Sequence, residues 1–192
     1  MTLATAPVRR LTQSDWAALR ATRLAALAEA PYAFASTLER EQAFTEDTWR
    51  QRVGPANIAA HFGADPATPA VSGVSGNGHP APLLGLAALL REPDLAAPEH
   101  WQLVSMWVSP QARGQGLAER LVTAVCDQAS AEGAAEIGLW VTLTNPRARA
   151  FYFRAGFQPT GERMLVRPEE PDHWEERMIR PLPRTVRPRV GS

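Results

Sequence analysis

The chain has 192 residues, of which 45% are apolar, and its 20 basic and 20 acidic residues give a formal net charge of zero. This length matches one domain, and the apolar content is enough for a packed core, which excludes a disordered chain. The balanced charge also excludes a chain-wide basic field of the kind that attracts nucleic acid.

The cellular location and the capacity to bind a metal can be predicted from the cysteine count, the histidine spacing and the amino-terminal segment. Cys126 is the only cysteine, so no intrachain disulfide forms, which fits a reducing compartment. The segment 1–7 has no charged stretch followed by an apolar one, and the apolar runs fall short of the roughly 18 residues of a membrane span. His61, His79 and His173 show no ligand spacing, so we expect no metal site. We expect a cytoplasmic protein, monomeric or homodimeric, that binds neither membrane nor nucleic acid.

The first half of the chain predicts two helices between short strands. Ser14 and Asp15 are typical of a helix start, because their side chains accept hydrogen bonds from free backbone N–H groups. Apolar residues then recur at helical spacing until Pro31. The predicted elements are a strand over 8–11, a helix over 16–30, a shorter helix from 45–48 onward and a strand over 57–62. The following stretch, 63–82, is rich in Gly, Pro, Ala and Ser and predicts a mobile hairpin loop.

The second half predicts alternating strands and helices. The predicted elements are strands over 83–90 and 101–108, a helix over 116–131, a strand over 136–142, a helix over 145–155, and strands over 157–166 and 174–179. A strand, a crossover helix and another strand imply one parallel pair inside an otherwise antiparallel sheet. We therefore expect a mixed α/β (α+β) domain over 7–182, with helices on both faces of the sheet and a disordered tail at 183–192.

One strand-to-helix junction, over 108–118, is suited to binding a diphosphate. The free N–H groups and the positive end of a helix dipole point at one place there. Gly114 and Gly116 leave room for phosphate oxygens, and Arg113 adds a charge. A glycine pair at a helix start is weak evidence by itself, because a tight turn uses the same residues.

Two motifs together make the chain resemble the GCN5-related N-acetyltransferase (GNAT) family. The first is Gln111-x-x-Gly114-x-Gly116, which matches the acyl-CoA motif of that family and follows Val108-x-Pro110. The second, about 30 residues downstream, is Asn145-x-x-Ala148-x-x-Phe151-Tyr152-x-x-x-Gly156-Phe157. The resemblance implies the GNAT fold, a sheet whose parallel pair splays at the acyl-CoA site, and transfer of an acetyl group from acetyl-CoA to a primary amine.

The resemblance also implies which residues bind the cofactor. The pyrophosphate cradle would be Gln111, Ala112, Arg113, Gly114, Gln115, Gly116, Leu117 and Ala118. The backbone of Met106, Trp107 and Val108 would bind the pantetheine arm. Asn145 would contact that arm, and Phe151 either packs under the cofactor or serves as an ordinary core residue.

Tyr152 resembles the general acid of the family. A phenol with a pKa of about 10 is protonated at neutral pH and can donate to the departing thiolate. The general base is open, because the strand over 101–108 has no carboxylate. Glu99 and His100, at its start, are candidates that act through water, or they are solvated loop residues.

The acceptor is not specified by the sequence. Tyr32, Phe34, Trp49 and the acidic residues of 39–41 lie in the right part of the chain, although charges on an exposed segment between helices are also ordinary. The alternatives are a non-catalytic acyl-CoA sensor and an enzyme that transfers a longer acyl group.

Overall fold

A computed structural model describes residues 7–54, 59–65, 83–91 and 101–183. The strands are β1 (Val8–Arg10), β2 (Ala59–Ala64), β3 (Gly85–Arg91), β4 (Trp101–Val108), β5 (Glu136–Thr142), β6 (Gln158–Leu165) and β7 (Trp174–Pro181). The α-helices are α1 (Trp16–Glu29), α2 (Leu38–Gln42), α3 (Glu46–Arg52), α4 (Leu117–Ala131) and α5 (Pro146–Arg154). The element order follows the prediction, with α2 as an addition.

The seven strands form one sheet in the order β1-β2-β3-β4-β5-β7-β6. Neighbouring strands are antiparallel, except that β4 and β5 are parallel. Helix α4 connects these two strands, as a parallel pair requires a crossover. The predicted mixed sheet with one parallel pair is therefore confirmed.

Helices cover both faces of the sheet. Consecutive residues of a strand point to opposite faces, and Leu86 and Ala87 of β3 belong to different apolar clusters. Ala87 packs in the cluster that contains Leu121 of α4 and Tyr152 of α5. Leu86 packs with residues of α1 and α3, including the fully buried Trp49. Helices α1 and α3 therefore lie on the face opposite α4 and α5.

The predicted loop over 63–82 begins too early. Gly63 and Ala64 continue β2, where Gly63 pairs with Leu86 of β3. A Cβ on Gly63 would lie 2.5 Å from Leu83 Cδ1, so a larger residue here would displace the Leu83 side chain, and the glycine lies in a packed strand rather than in a turn. The remainder of the predicted loop, 66–82, lies outside the described residues.

The carboxyl end of the described chain is held by two hydrogen bonds. Leu182 N donates to Ala135 O at 2.8 Å, and Pro183 O accepts from Ser130 Oγ at 2.8 Å. The predicted tail therefore begins with an ordered residue, and 184–192 lie outside the described part. None of the described helices combines the length and the apolar character that crossing a membrane requires.

Candidate active site

The parallel strands β4 and β5 separate along their length. Both strands are described in full, and their only registered pair is Gln102 opposite Gly138, near the start of β4. Ser105 has a φ of 57°, which is uncommon for a residue other than glycine. The strand therefore bends at Ser105, and a cleft opens between Met106–Val108 and β5.

The amino terminus of α4 lies at this cleft. Gly116 is the N-cap residue with a φ of 70°, and Gly114 has a φ of 75°. This backbone conformation suits glycine, and a Cβ placed on Gly114 would meet nothing within 4 Å. The first turn of the 15-residue helix α4 therefore presents its N–H groups toward open space, which is the arrangement that binds phosphate.

The structure brings most of the predicted cofactor-binding residues together in one cavity of about 390 Å³. Those that line it are Met106, Trp107, Val108, Ala112, Arg113, Gly114, Gly116, Leu117, Ala118, Asn145 and Phe151. Gln111 and Gln115 are not among the lining residues, and the Gln115 amide donates to Gln111 O at 3.0 Å. These two glutamines therefore shape the turn from outside the cavity.

Glu29, which the sequence analysis did not single out, joins the carboxyl end of α1 to the cradle. Its Oε2 accepts from Arg113 Nη2 at 2.8 Å and from Trp107 Nε1 at 3.0 Å. The Arg113 guanidinium, followed by the Trp107 N–H, lowers the pKa of this carboxyl, which burial partly opposes. Arg113 Nε also donates to Val108 O at 3.0 Å. The Arg113 side chain thus stabilises the turn before α4 through these hydrogen bonds.

Asn145 and Phe151 border the same cavity from α5. Asn145 Oδ1 accepts from Ala148 N at 3.0 Å, so this side chain caps the helix, and the residue also lines the cavity. Phe151 packs against Tyr152 with ring centroids 5.2 Å apart. Arg147 and Arg154, which the sequence analysis missed, add positive charge to the rim.

Tyr152 lies where two cavities meet. Its residue is 9% exposed, and it lines both the cofactor-side cavity and a second cavity of about 400 Å³ on the side of α1 to α3. Burial raises the pKa of the phenol, so the hydroxyl keeps its proton through the physiological range. This is the protonation state that a general acid requires.

Glu175 of β7 lies in the second cavity together with Tyr152. Burial raises the pKa of this carboxyl to about 7, and His173 partly opposes the shift. The neighbouring Glu176 points to the other face and accepts from Arg149 Nη2 of α5 at 2.7 Å. Adjacent residues in a strand face opposite sides of the sheet, so one of Glu175 and Glu176 had to face the acceptor side. This acidic pair was the feature of the sequence that could have predicted a carboxylate there.

The charges of segment 39–41 are not all exposed. The interpretation of this segment as ordinary surface charge therefore does not apply to Glu41. Glu41 is 1% exposed and accepts from Arg23 Nε and Nη2 at 3.1 and 2.9 Å. Arg23 was not foreseen as its partner, because the two residues lie on different helices. Of the aromatic candidates, Phe34 lines both cavities, whereas Tyr32 lines only the first and Trp49 is buried in the core.

The candidate bases Glu99 and His100 lie outside the described residues. Within the ranges that are described, no group of three His, Cys, Asp or Glu side chains is arranged to hold a metal ion.

Known proteins share this fold and its cradle-bearing segment. The sequence profile of the acetyltransferase (GNAT) family matches residues 27–157. Similar solved structures include a GCN5-related N-acetyltransferase from Kribbella flavida, with a TM-score of 0.65, 22% identity, and coverage of 92% of this chain and 97% of that chain. The ribosomal-protein-S18-alanine N-acetyltransferase from Escherichia coli has a TM-score of 0.59, 18% identity, and coverage of 97% and 99%.

A curated relative matches over a shorter stretch. N-acetyltransferase 8F1 of Rattus norvegicus is 38% identical over 65 residues, which are 34% of this chain and 29% of that protein. The family profile covers well over half of the present sequence. On that match, together with the sheet and cleft described above, the chain belongs to the acetyltransferase (GNAT) family.

Proposed function

We propose that this protein transfers an acetyl group from acetyl-CoA to a primary amine. The observation that carries the proposal is the position of Tyr152, which lines both the cavity beside the α4 cradle and the cavity that holds Glu175. Met106, beside the bend in β4, also lines both. A thioester in the first cavity and an amine in the second would therefore meet beside a proton donor and a proton acceptor.

The cofactor side is supported by open space at the cradle. The backbone N–H groups of the first turn of α4 would hold the pyrophosphate, since a Cβ on Gly114 meets no neighbouring atom. The separated strands leave the edge of β4 at Met106–Val108 facing the cleft for the pantetheine arm. Arg113 acts through its contacts with Glu29 and Val108, and Asn145 through its cap on α5.

Glu175 is the proposed general base. An amine is mostly protonated at neutral pH, and a carboxylate with a pKa of about 7 takes a proton from it efficiently. The amine nitrogen then bonds to the carbonyl carbon, and the C–S bond breaks. Tyr152 donates its proton to the departing sulfur, and the second proton that the amine nitrogen loses passes to the Tyr152 phenolate, which restores the phenol.

Release of the CoA thiol tests the proposal. The 192-residue chain is supplied with acetyl-CoA and a panel of amines, polyamines, aminoglycosides, amino acids and peptides. We expect thiol release that depends on one class of amine and a matching amount of acetylated product. Binding of acetyl-CoA without amine-dependent release would instead identify a sensor. Faster turnover with a longer acyl-CoA would contradict the acetyl preference.

We propose a cytoplasmic location, and the buried thiol of Cys126 supports it. Cys126 is buried, and burial raises the pKa of its thiol, so it remains a protonated core residue. A chain that carries no disulfide suits the reducing cytoplasm.

A further inference from the structure

The second cavity has a cationic end that the proposed reaction does not use. Arg23 of α1, Arg40 of α2 and Arg52 of α3 line it. Of the two acidic residues that line it in the described part of the chain, Glu41 and Glu175, Glu41 is the one that contacts these arginines. Glu41 contacts Arg23 Nη2 at 2.9 Å and Arg52 Nη1 at 3.9 Å. One carboxylate cannot neutralise three guanidinium groups, so the described residues around these arginines carry excess positive charge.

Two of these guanidinium groups have unmet hydrogen-bonding capacity. Arg23 Nη1 and Arg52 Nε are buried, and neither has a hydrogen-bond partner in the part of the chain that the structure describes. Buried donors are normally paired, and a buried cation without a matching anion is costly. Burial lowers the pKa of Arg52; Glu41 raises it, while Arg23 and Arg40 lower it further, as expected where like charges are confined together.

Aromatic rings hold these groups in fixed positions. The Arg23 guanidinium carbon lies 4.5 Å from the Phe34 ring centroid, and that of Arg52 lies 5.2 Å from the Trp49 centroid. The Arg23 side chain is 7% exposed and forms part of the wall, whereas the Arg52 side chain is 27% exposed and accessible. An incoming anion would therefore contact Arg52, with Arg40 at the surface and Arg23 behind.

The arginines and the proposed catalytic residues belong to different elements of the fold. Glu175 lies on β7, whereas Arg23, Arg40 and Arg52 lie on α1, α2 and α3. Yet Arg52, Tyr152 and Glu175 border one continuous cavity of about 400 Å³. A ligand that fills this space therefore meets both the positive charge of the arginines and the proposed proton acceptor.

We infer that the acceptor is an amine that also carries a carboxylate, and that the Arg23–Arg40–Arg52 cluster binds the carboxylate while the amine lies beside Glu175. The planar guanidinium fork of Arg52 matches a carboxylate in two-point contact. This inference rests on the proposed function, because it assigns the acceptor of that reaction.

The test compares acceptors that differ in one group. Thiol release is measured with ω-amino carboxylates of increasing length and with the carboxamides of the same length. We expect kcat/KM to favour the best carboxylate over its carboxamide by about 10- to 100-fold, the scale of a hydrogen bond to a charged group. Arg52→Gln should reduce this ratio toward unity, mainly through KM.

Arg50→Gln is the matched control. Arg50 lies on the same helix, but it is exposed and pairs with Glu46 at 2.7 Å. This variant should retain the wild-type ratio. Thermal unfolding monitors the fold of each variant, and Arg40→Gln, at an exposed position, gives a second measurement if Arg52→Gln is unstable.

The outcomes separate this inference from the proposed function. Turnover of carboxamides and carboxylates at equal kcat/KM, or a ratio that survives both arginine variants, overturns the inference alone. A preference for amines that end in phosphate overturns the carboxylate assignment. If no amine is acetylated, calorimetry with glutarate decides: binding that Arg52→Gln weakens supports the anion site, and absence of binding overturns it.

Discussion

Replacement of Glu175 by glutamine is the perturbation that most sharply tests the acceptor side. The substitution keeps the size of the side chain and removes its capacity to take a proton. Loss of a positioned base lowers turnover by about 10²- to 10⁴-fold. Because burial raises the pKa of Glu175 to about 7, the wild-type kcat/KM should rise with pH through this value and then level off.

The assay is thiol release across the pH range, with the best acceptor found in the panel. Glu175→Gln should lose both the rate and the limb near pH 7. Glu162→Gln is the control, since Glu162 is an exposed carboxylate on β6 that pairs with Arg177 at 3.0 Å. A Glu175→Gln enzyme with a near-normal rate and an unchanged pH limb would refute the assignment, and a base outside the described residues, such as Glu99 or His100, would then be required.

Four further predictions concern stability, the acid, the cradle and the buried ion pair. The Glu175 pKa rises from 4.5 to about 7, so the folded chain holds this proton more tightly and loses stability as pH rises between these values. Above pH 7, the free energy of unfolding of Glu175→Gln should therefore exceed that of the wild type by about 1–2 kcal/mol after allowance for solvent screening. Urea titration would measure this difference. Tyr152→Phe should lower kcat about 10²- to 10⁴-fold with little change in acetyl-CoA affinity by calorimetry, and a normal kcat would mean that the thiolate leaves unaided. Gly116→Val should weaken acetyl-CoA binding, because a β-branched residue is strained at a φ of 70° and fills the cradle; unchanged affinity would contradict the cradle assignment. Glu41→Gln should cost about 3–5 kcal/mol in chemical denaturation because it leaves Arg23 buried without a counter-ion, and the double change Arg23→Met and Glu41→Met should recover much of that loss.

Local patterns predicted the regular elements where a run of apolar residues has clear boundaries. The strand over 101–108 and the strand over 136–142 were predicted with the bounds that the structure shows. The first is followed by Ser109-Pro110, and Gly133 precedes the second. Periodicity and turn residues act over a few positions, so a single sequence contains them.

Features that depend on distant contacts could not be predicted in this way. Gly63 resembles a turn residue by its type, yet it lies in β2, where the Leu83 side chain occupies the space beside it. Helix α2 has only five residues and depends on the buried pair between Glu41 and Arg23, 18 positions apart. The raised pKa of Glu175 likewise arises from burial, which no local pattern reports.

The glycine turn before α4 was predictable because it has a particular backbone geometry. Gly114 and Gly116 have positive φ values, which favour glycine. The turn can therefore be recognised from the residue types alone. A base requires only a carboxylate at a suitable depth, and the chain has 20 acidic residues. The acceptor side therefore had to be located from the cavity that Tyr152 shares with the cradle.

Acetyl transfer across the junction at Tyr152 is tested by following both products of the reaction together. Acetyl-CoA labelled in its acetyl carbons is incubated with the protein and the amine panel, and mass spectrometry follows the label while a thiol reagent counts free CoA. The account predicts labelled amide in the same amount as released thiol, and both should disappear together in Tyr152→Phe and in Glu175→Gln. Labelled acetate with no amide, or bound acetyl-CoA that never turns over with any amine, would contradict it.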